Sequence, residues 1–189
     1  MYKFLASGLL ILSISCNSDK SQPKDALAIA EAPSTTLSYE INTIEKLKVK
    51  LEPYELTMNM SQVGEDVYEL ELNMLLHNGA HFVSPNAKRA FKGKFTVHLD
   101  DSDQLVPISE LIETPRSVEE YDPHPFVNGT VNWVREDTKY TLKLERKAEE
   151  YFSVKGFIQF TIEPRCTLEK IPIIIKNVKG KLRVELFGC

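Results

Sequence analysis

Three cysteines carry the most reactive side chains of this 189-residue sequence: Cys16, Cys166 and Cys189. Cys166 follows the strand-like run "FTIEPR", and Cys189 follows "KLRVELFG". A disulfide between Cys166 and Cys189 would close a loop and contribute about 3 kcal/mol by chain-entropy arguments. Because unpaired thiols are unusual in an oxidising compartment, this disulfide is one alternative for Cys166. The others are a free thiol packed as a small buried hydrophobe and a reactive thiolate of lowered pKa.

The histidines and acidic clusters do not form a recognisable metal site. His77 and His81 have a spacing that places two ligands on one face of a helix, but they bracket "NG", which predicts a turn. The loop "DDSDQ" (100–104) lacks the frame and terminal glutamate of a calcium-binding loop, so we interpret it as a solvated hairpin tip. The sequence contains no G-x-S-x-G, phosphate-loop or Cys-x-x-Cys motif. We expect neither a metal nor a cofactor.

The first residues predict secretion and lipidation. Lys3 precedes an apolar run, 4–14, which is shorter than the ~20 residues of a membrane-spanning helix. Residues 1–15 are therefore interpreted as a signal peptide. The run ends in "LSISC", which resembles a bacterial lipobox and predicts acylation of Cys16, a modification that holds a protein at a membrane. Residues 16–45 are rich in Ser, Pro, Lys, Asp and Ala, a composition that predicts a flexible tether.

The rest of the chain, residues 46–189, is long enough for one domain with a substantial core. It contains no apolar stretch long enough to span a membrane. The formal net charge of the whole chain is −4. This mild acidity argues against a nucleic-acid partner, which would need a clustered basic face.

Short segments with alternating apolar and polar residues predict the fold. Examples are "VYELELNMLL" (67–76), "GKFTVHLD" (93–100) and "KYTLKLER" (139–146), and Asp137–Thr138 is predicted to be a hairpin turn. Only "ISELIET" (108–114) has the pattern of a short helix. Seven to nine strands without alternating helices predict an all-β, immunoglobulin-like antiparallel β-sandwich.

Three stretches follow one another in a familiar order: "ELNMLLHNGAHFVSP", "TPRSVEEYDPHPFVNGTVNWV" and "VKGFIQFTIEPRCTLEKIP". Together they resemble the N-terminal immunoglobulin-like periplasmic domain of the thiol–disulfide reductase DsbD. The resemblance implies that Cys166 occupies the position of the first of two active cysteines and that Ile171 replaces the second. It also implies that Tyr121, beside Asp122, corresponds to the aromatic cap over the active cysteines. Because the family cycles through a disulfide between its two cysteines, the isoleucine implies that this cycle is not supported here.

These features predict a membrane-anchored lipoprotein of the bacterial cell envelope, facing the periplasm or the cell surface. Its sandwich is interpreted as a non-catalytic module that binds other envelope proteins. The alternative is an accessory thiol–disulfide exchange protein that uses Cys166, with or without Cys189, and has exchange partners in the envelope. That alternative needs a thiol of lowered pKa, and Arg165 is the adjacent positive charge in the sequence.

Overall fold

Fourteen β-strands account for the regular structure of residues 38–42, 46–125 and 127–188, which this computed structural model describes. No helix occurs in these ranges. The strands, in chain order, are β1 Ser38–Asn42, β2 Lys46–Leu51, β3 Tyr54–Gln62, β4 Val67–Leu76, β5 Phe82–Val83, β6 Thr96–Leu99, β7 Leu105–Pro107, β8 Ile112–Thr114, β9 Glu119–Asp122, β10 Gly129–Val134, β11 Thr138–Arg146, β12 Phe152–Ile162, β13 Thr167–Val178 and β14 Lys181–Leu186.

The strands form three sheets whose paired strands are all antiparallel. The large sheet has the order β1-β2-β3-β4-β11-β7, and β8 pairs with β11 beside β7. The four-stranded sheet has the order β14-β13-β12-β6, and the small sheet has the order β5-β10-β9. The predicted all-β, immunoglobulin-like antiparallel sandwich is confirmed at the level of the fold class.

Period-two alternation decides which side of each long strand faces the core. In β12, "FSVKGFIQFTI", every second residue is buried, beginning with Phe152 and ending with Ile162. β4 alternates in the same way, with Tyr68, Leu70 and Leu72 buried. Because successive side chains of a strand point to opposite faces, each of these strands presents one apolar face to the core.

Aromatic rings fill the space between the large sheet and the four-stranded sheet. Tyr54 of β3 meets Phe160 of β12 edge to face, with ring centroids 5.0 Å apart. Phe95, just before β6, stacks on Tyr140 of β11 at 4.1 Å. These contacts between the two sheets define the main core, and such aromatic pairs add specific geometry to the hydrophobic contribution.

The hydroxyls of two buried tyrosines, Tyr54 and Tyr140, reach carboxylates at the edge of the core. Tyr54 donates to Glu169 Oε2 at 3.2 Å, and Tyr140 donates to Glu113 Oε2 at 3.2 Å. Burial, reinforced by the facing carboxylate, raises the pKa of both tyrosines far above the ordinary value. Both therefore stay protonated and act as donors.

Glu113, in the middle of β8, is a buried carboxylate with a relative exposure of 5%. Ser84 Oγ donates to its Oε2 at 2.8 Å, beside the bond from Tyr140. The backbone N–H of Ser117 donates to Oε1 at 2.7 Å, and the side-chain amide of Asn86 donates to the same atom at 3.3 Å. Four donors from three segments of the chain thus satisfy a carboxylate that forms no ion pair among the described residues.

The predicted helix at 108–114 is wrong. β8 covers Ile112–Thr114 and pairs with β11, and residues 108–111 connect it to the end of β7 at Pro107 without forming a helix. A helix this short is marginal in water, because nucleation is costly and few backbone bonds follow. Pairing with β11 and the hydrogen bonds to Glu113 stabilise the extended form instead.

Two predicted hairpins are also wrong. Asp137–Thr138 joins β10 of the small sheet to β11 of the large sheet, so its flanking strands do not pair. Asp137 Oδ1 instead accepts a hydrogen bond from the backbone N–H of Leu76 at 2.9 Å. The loop 100–104 likewise connects β6 of the four-stranded sheet to β7 of the large sheet. Local turn chemistry marks where a strand ends, whereas long-range pairing decides which sheet the next strand joins.

The boundary between predicted tether and domain lies earlier than expected. β1 pairs with β2 over five residues, from Ser38↔Lys50 to Asn42↔Lys46, inside the stretch predicted as tether, 16–45. The alternating sequence "SYEIN" is compatible with a strand, and β2 offers it an edge to pair with. The predicted signal peptide, residues 1–15, and Cys16 lie outside the described residues.

Replacing Glu113 with alanine should lower the free energy of unfolding by about 3 kcal/mol, because the buried hydroxyls of Ser84 and Tyr140 lose their acceptor. Urea unfolding followed by circular dichroism measures the change. Glu110→Ala, at an exposed position three residues earlier, is the control and should change stability by less than about 0.5 kcal/mol. Equal stability of the two variants would show that Glu113 does not organise this region.

Candidate functional site

The turn between β12 and β13 presents Cys166 to solvent. The last strand pair is Ile162↔Thr167, and the intervening residues form the turn. Cys166 is exposed and has a φ of 51°, a left-handed conformation that glycine and asparagine adopt more readily than cysteine. The predicted buried-thiol alternative therefore does not hold for Cys166.

A carboxylate controls the protonation of this thiol. The thiol of Cys166 donates a hydrogen bond to Glu163 Oε2, with the sulfur 2.9 Å from the oxygen. This bond, together with the negative charge of Glu163, raises the pKa of Cys166 above its usual value. Arg165 donates to Glu169 Oε1 at 2.9 Å. The thiol thus lacks the lowered pKa that the thiol-exchange alternative requires.

The backbone of Glu163 attaches this turn to the rest of the fold. Glu163 and His81 exchange two backbone hydrogen bonds, with N–O distances of 3.2 and 2.9 Å. The imidazole of His81 packs edge to face against Trp133, with ring centroids 4.9 Å apart. Trp133 belongs to β10, so these contacts link the cysteine turn to the small sheet.

Asp122, predicted beside the cap, holds the indole of Trp133. Its Oδ2 accepts a hydrogen bond from Trp133 Nε1 at 2.9 Å, and its Oδ1 accepts one from the backbone N–H of His124 at 2.8 Å. The bond from His124, followed by that from Trp133, lowers the pKa of Asp122 and keeps it ionised. A continuous series of contacts therefore runs from Asp122 through the indole and the imidazole to Glu163 and the thiol.

Tyr121, the predicted cap residue, lies on β9 at the outer edge of the small sheet. Its side chain is 65% exposed, and its hydroxyl donates to Asn128 Oδ1 at 3.1 Å. Cys166 is exposed as well, so the thiol is not covered in this structure. A capping role for Tyr121 and Asp122 stays a prediction.

Sequence reasoning missed the three residues that join these parts: His81, Trp133 and Glu163. Trp133 is half-buried and packs against the smaller apolar cluster, not in the main core. The alternating pattern of β10 could have indicated that Trp133 faces away from the main core, because the next residue, Val134, is in that core and adjacent strand residues face opposite sides. Nothing local could predict that His81 would pair with Glu163, which is distant in sequence.

Ile171 does not occupy a position from which a second cysteine could reach Cys166. It is buried in β13 and pairs with Ile158 of β12. The strand from Thr167 to Ile171 alone extends about 13 Å, whereas a disulfide needs Cα atoms within roughly 7 Å. The implied correspondence between Ile171 and a second active cysteine is therefore not supported by the geometry.

Cys189 lies outside the described residues, so its predicted disulfide with Cys166 stays a prediction. Phe187, two residues earlier, donates a backbone hydrogen bond to the carbonyl oxygen of Pro172 at 3.1 Å, which extends the β13–β14 pairing one residue beyond β14. Lipidation of Cys16 also stays a prediction, because Cys16 lies outside the described residues as well.

The histidines serve separate local contacts. His77 and His81 flank the predicted turn, where Asn78 and Gly79 adopt φ angles of 55° and 71°. His77 Nε2 lies 4.0 Å from Glu55 Oε1, and His98 packs against Phe157 with ring centroids 4.8 Å apart. Within the part of the chain that the structure describes, no group of three or more His, Cys, Asp or Glu side chains could hold a metal ion.

Comparison with known proteins finds similarity only between folds. No protein-family model matches this sequence, and no curated protein matches it. The GAE domain of GGA2p from Saccharomyces cerevisiae is similar, with a TM-score of 0.39 and 11% identity over 70% of this chain and 99% of that one. The N-terminal domain of DsbD from Neisseria meningitidis, in the reduced form, has a TM-score of 0.39 and 9% identity over 69% of this chain and 90% of that one.

Across residues 38–42, 46–125 and 127–188, no helix has the length and apolar character needed to cross a membrane.

Replacing Glu163 with glutamine should lower the pKa of Cys166, because the thiol loses a charged acceptor that favours its protonated form. At a pH below the thiol pKa, the thiolate fraction and the rate of alkylation should both rise several-fold. Iodoacetamide labelling across a pH series, with the Cys166 peptide quantified by mass spectrometry, measures the rate. Glu110→Gln is the control, and an unchanged pH profile in Glu163→Gln would contradict the assigned contact.

Proposed function

We propose that this chain is a lipoprotein of the bacterial envelope, anchored through Cys16, whose sandwich binds other envelope proteins without catalysing a reaction. The signal peptide and lipobox-like "LSISC" support the anchor, and the tether supports a domain that stands off the membrane. The exposed apolar edge of the small sheet supports the binding role. The finer resemblance, to the N-terminal domain of DsbD, is part of this proposal and rests on the order of the sequence segments.

Two exposed apolar side chains at an edge strand are the main support for the binding role. Val118, just before β9, is 81% exposed, Tyr121 within β9 is 65% exposed, and β9 is an end strand of its sheet. We call residues 118–122 the β9 edge. An edge strand offers unpaired backbone groups to an incoming strand, and alternating side chains of that partner then meet the exposed residues.

Ion pairs stabilise the β9 edge from both sides of the strand. Glu119 pairs with Lys88 at 3.0 Å, and Glu120 pairs with Arg135 at 2.9 Å. The guanidinium of Arg135 also lies over the ring of Trp133, 5.6 Å from its centroid. These contacts hold the strand in place before a partner arrives, which reduces the entropy lost on binding.

The hydrogen bond from Cys166 to Glu163 argues against thiol–disulfide exchange, and this supports the binding role. A thiol attacks a disulfide as the thiolate, and the bond to Glu163 disfavours that form. Cys166 is then an exposed surface residue with no turnover assigned to it.

Replacing Cys16 with serine should release a folded, soluble protein, because serine cannot accept the acyl chains that hold the domain at the membrane. Fractionation with salt and carbonate washes measures the release. Cys166→Ser is the matched control and should stay in the membrane fraction. A Cys16→Ser protein that remains membrane-bound would contradict the lipid anchor.

Replacing both Val118 and Tyr121 with serine should weaken capture of envelope proteins about tenfold, because exposed apolar and aromatic side chains dominate small interfaces. Affinity capture from envelope extract, with retained proteins quantified by mass spectrometry, measures the loss. The matched control replaces Val63 and Tyr151, which are 53% and 69% exposed elsewhere on the domain. Equal retention by both double variants would place the interface away from the β9 edge.

A further inference from the structure

The outward face of the four-stranded sheet is unusually apolar for a solvent-facing sheet surface. We call it the β12–β13 face, and its apolar members are Phe157, Leu168, Pro172, Ile174, Val178 and Phe187. Leu168 is 56% exposed and Phe187 is 40% exposed. Antiparallel sheets with one solvated face usually present polar residues there, so this composition points to a contact with something other than water.

The outward face of the large sheet provides the comparison within the same molecule. Its outward positions on β3, β4 and β11 are mostly polar, and they include Thr57, Asn59, Glu69, Glu71, Asn73, Lys139, Thr141 and Lys143. Leu75, near the end of β4, is a large apolar side chain that is exposed on this face. The two outer surfaces of the sandwich therefore differ, although both belong to antiparallel sheets.

Positive charge surrounds the apolar residues of the β12–β13 face. The outward positions of its strands carry one acidic residue, Glu185, and five basic ones, Lys155, Lys170, Lys176, Lys181 and Arg183. Glu185 forms an ion pair with Lys176. The remaining four cations form no ion pair with any described residue, although the chain as a whole has a net charge of −4.

Two of these ammonium groups lie over aromatic rings. Lys170 Nζ is 4.0 Å from the centroid of the Phe157 ring, and Lys155 Nζ is 4.3 Å from that of Phe187. A lysine in this position keeps its charge available at the surface while its aliphatic stem covers apolar groups. The face thus combines apolar side chains with accessible positive charge, as expected of a protein surface that lies on lipid headgroups.

The sequence before the sandwich favours a lipid surface as the occupant. Residues 17–37 separate Cys16 from β1, and a chain of this length spans at most about 75 Å even when fully extended. An anchored domain is therefore confined near its own membrane, where a weak attraction acts at high effective concentration. An acidic protein would also match the charge, but it has no such confinement.

We propose that the β12–β13 face docks onto a bilayer containing anionic phospholipid and so orients the anchored domain on its membrane. The inference rests on the proposed anchor at Cys16. The ammonium groups of Lys155 and Lys170 contact phosphate groups, and Leu168 and Phe187 enter the headgroup region. The β9 edge belongs to another sheet and takes the protein partner.

Amine footprinting of the full-length, acylated protein tests this orientation. The protein is reconstituted into vesicles of phosphatidylcholine alone or of phosphatidylcholine with phosphatidylglycerol, labelled with a water-soluble acetylating reagent, and mapped by mass spectrometry. In the anionic vesicles, labelling of Lys155 and Lys170 should fall about threefold or more and recover in high salt. Lys139 and Lys143, on the outward face of the large sheet, are internal controls and should be labelled equally in both vesicles.

Equal labelling of Lys155 and Lys170 in both kinds of vesicle overturns the proposal that the β12–β13 face docks onto the bilayer. Protection that appears only after envelope proteins are added, in either vesicle, also overturns it and assigns the face to an acidic protein. Flotation with phosphatidylcholine vesicles tests the anchor separately, so failure of the proposed function is distinguishable from failure of this inference.

Discussion

The carboxylate of Glu113 is the contact on which the geometry of the candidate site depends. A buried carboxylate is costly unless donors surround it, and here Ser84, Asn86, Ser117 and Tyr140 supply them. These residues come from the segment after β5, the segment before β9 and the core face of β11. One side chain therefore connects the large sheet to both flanks of the small sheet. Asn132 of β10 completes the connection, since its amide donates to the backbone oxygen of Ser117 and its own backbone oxygen accepts from Ser84.

The contacts of Glu113 show why some strands of the fold could be predicted from the sequence and others could not. Long alternating segments such as β4 and β12 are predictable because burial of one face follows directly from the period of the side chains. β8 is not predictable in this way, because its conformation depends on donors that are remote in sequence and on a free edge of β11. The predicted hairpins failed for the same reason. Each turn was located correctly, but the next strand joined another sheet.

The candidate site shows the same division between local and long-range information. Cys166, Tyr121 and Asp122 could be identified from residue type and order, whereas His81, Trp133 and Glu163 were missed. The missing residues make the connections between sheets: a backbone bridge, a ring contact and a carboxylate that accepts from the thiol. Glu163 matters most for chemistry, because it converts an exposed cysteine into one whose protonated form is favoured. Arg165, the cation that the sequence placed beside the thiol, is instead bound to Glu169. Adjacency in sequence therefore gave the wrong sign for the electrostatic environment of Cys166.

The two outer faces of the sandwich show why net charge is a weak guide to what a surface binds. A charge of −4 averages over the whole chain, and the average conceals four cations on one face that form no ion pair within the described part of the chain. Period-two alternation identifies which side chains point outward, but it does not say whether that side meets water. In the large sheet the outward residues are mostly polar, so alternation and solvation agree. In β12 and β13 the outward positions include Phe157 and Ile174, and Ile174 is only 7% exposed. Its neighbours on the adjacent strands are Lys155 and Glu185, and Lys155 Nζ lies over the Phe187 ring, so this face combines buried apolar groups with charged groups at the surface. Such a surface is physically suited to an interface between water and lipid, where charge stays outermost and apolar groups lie just behind it.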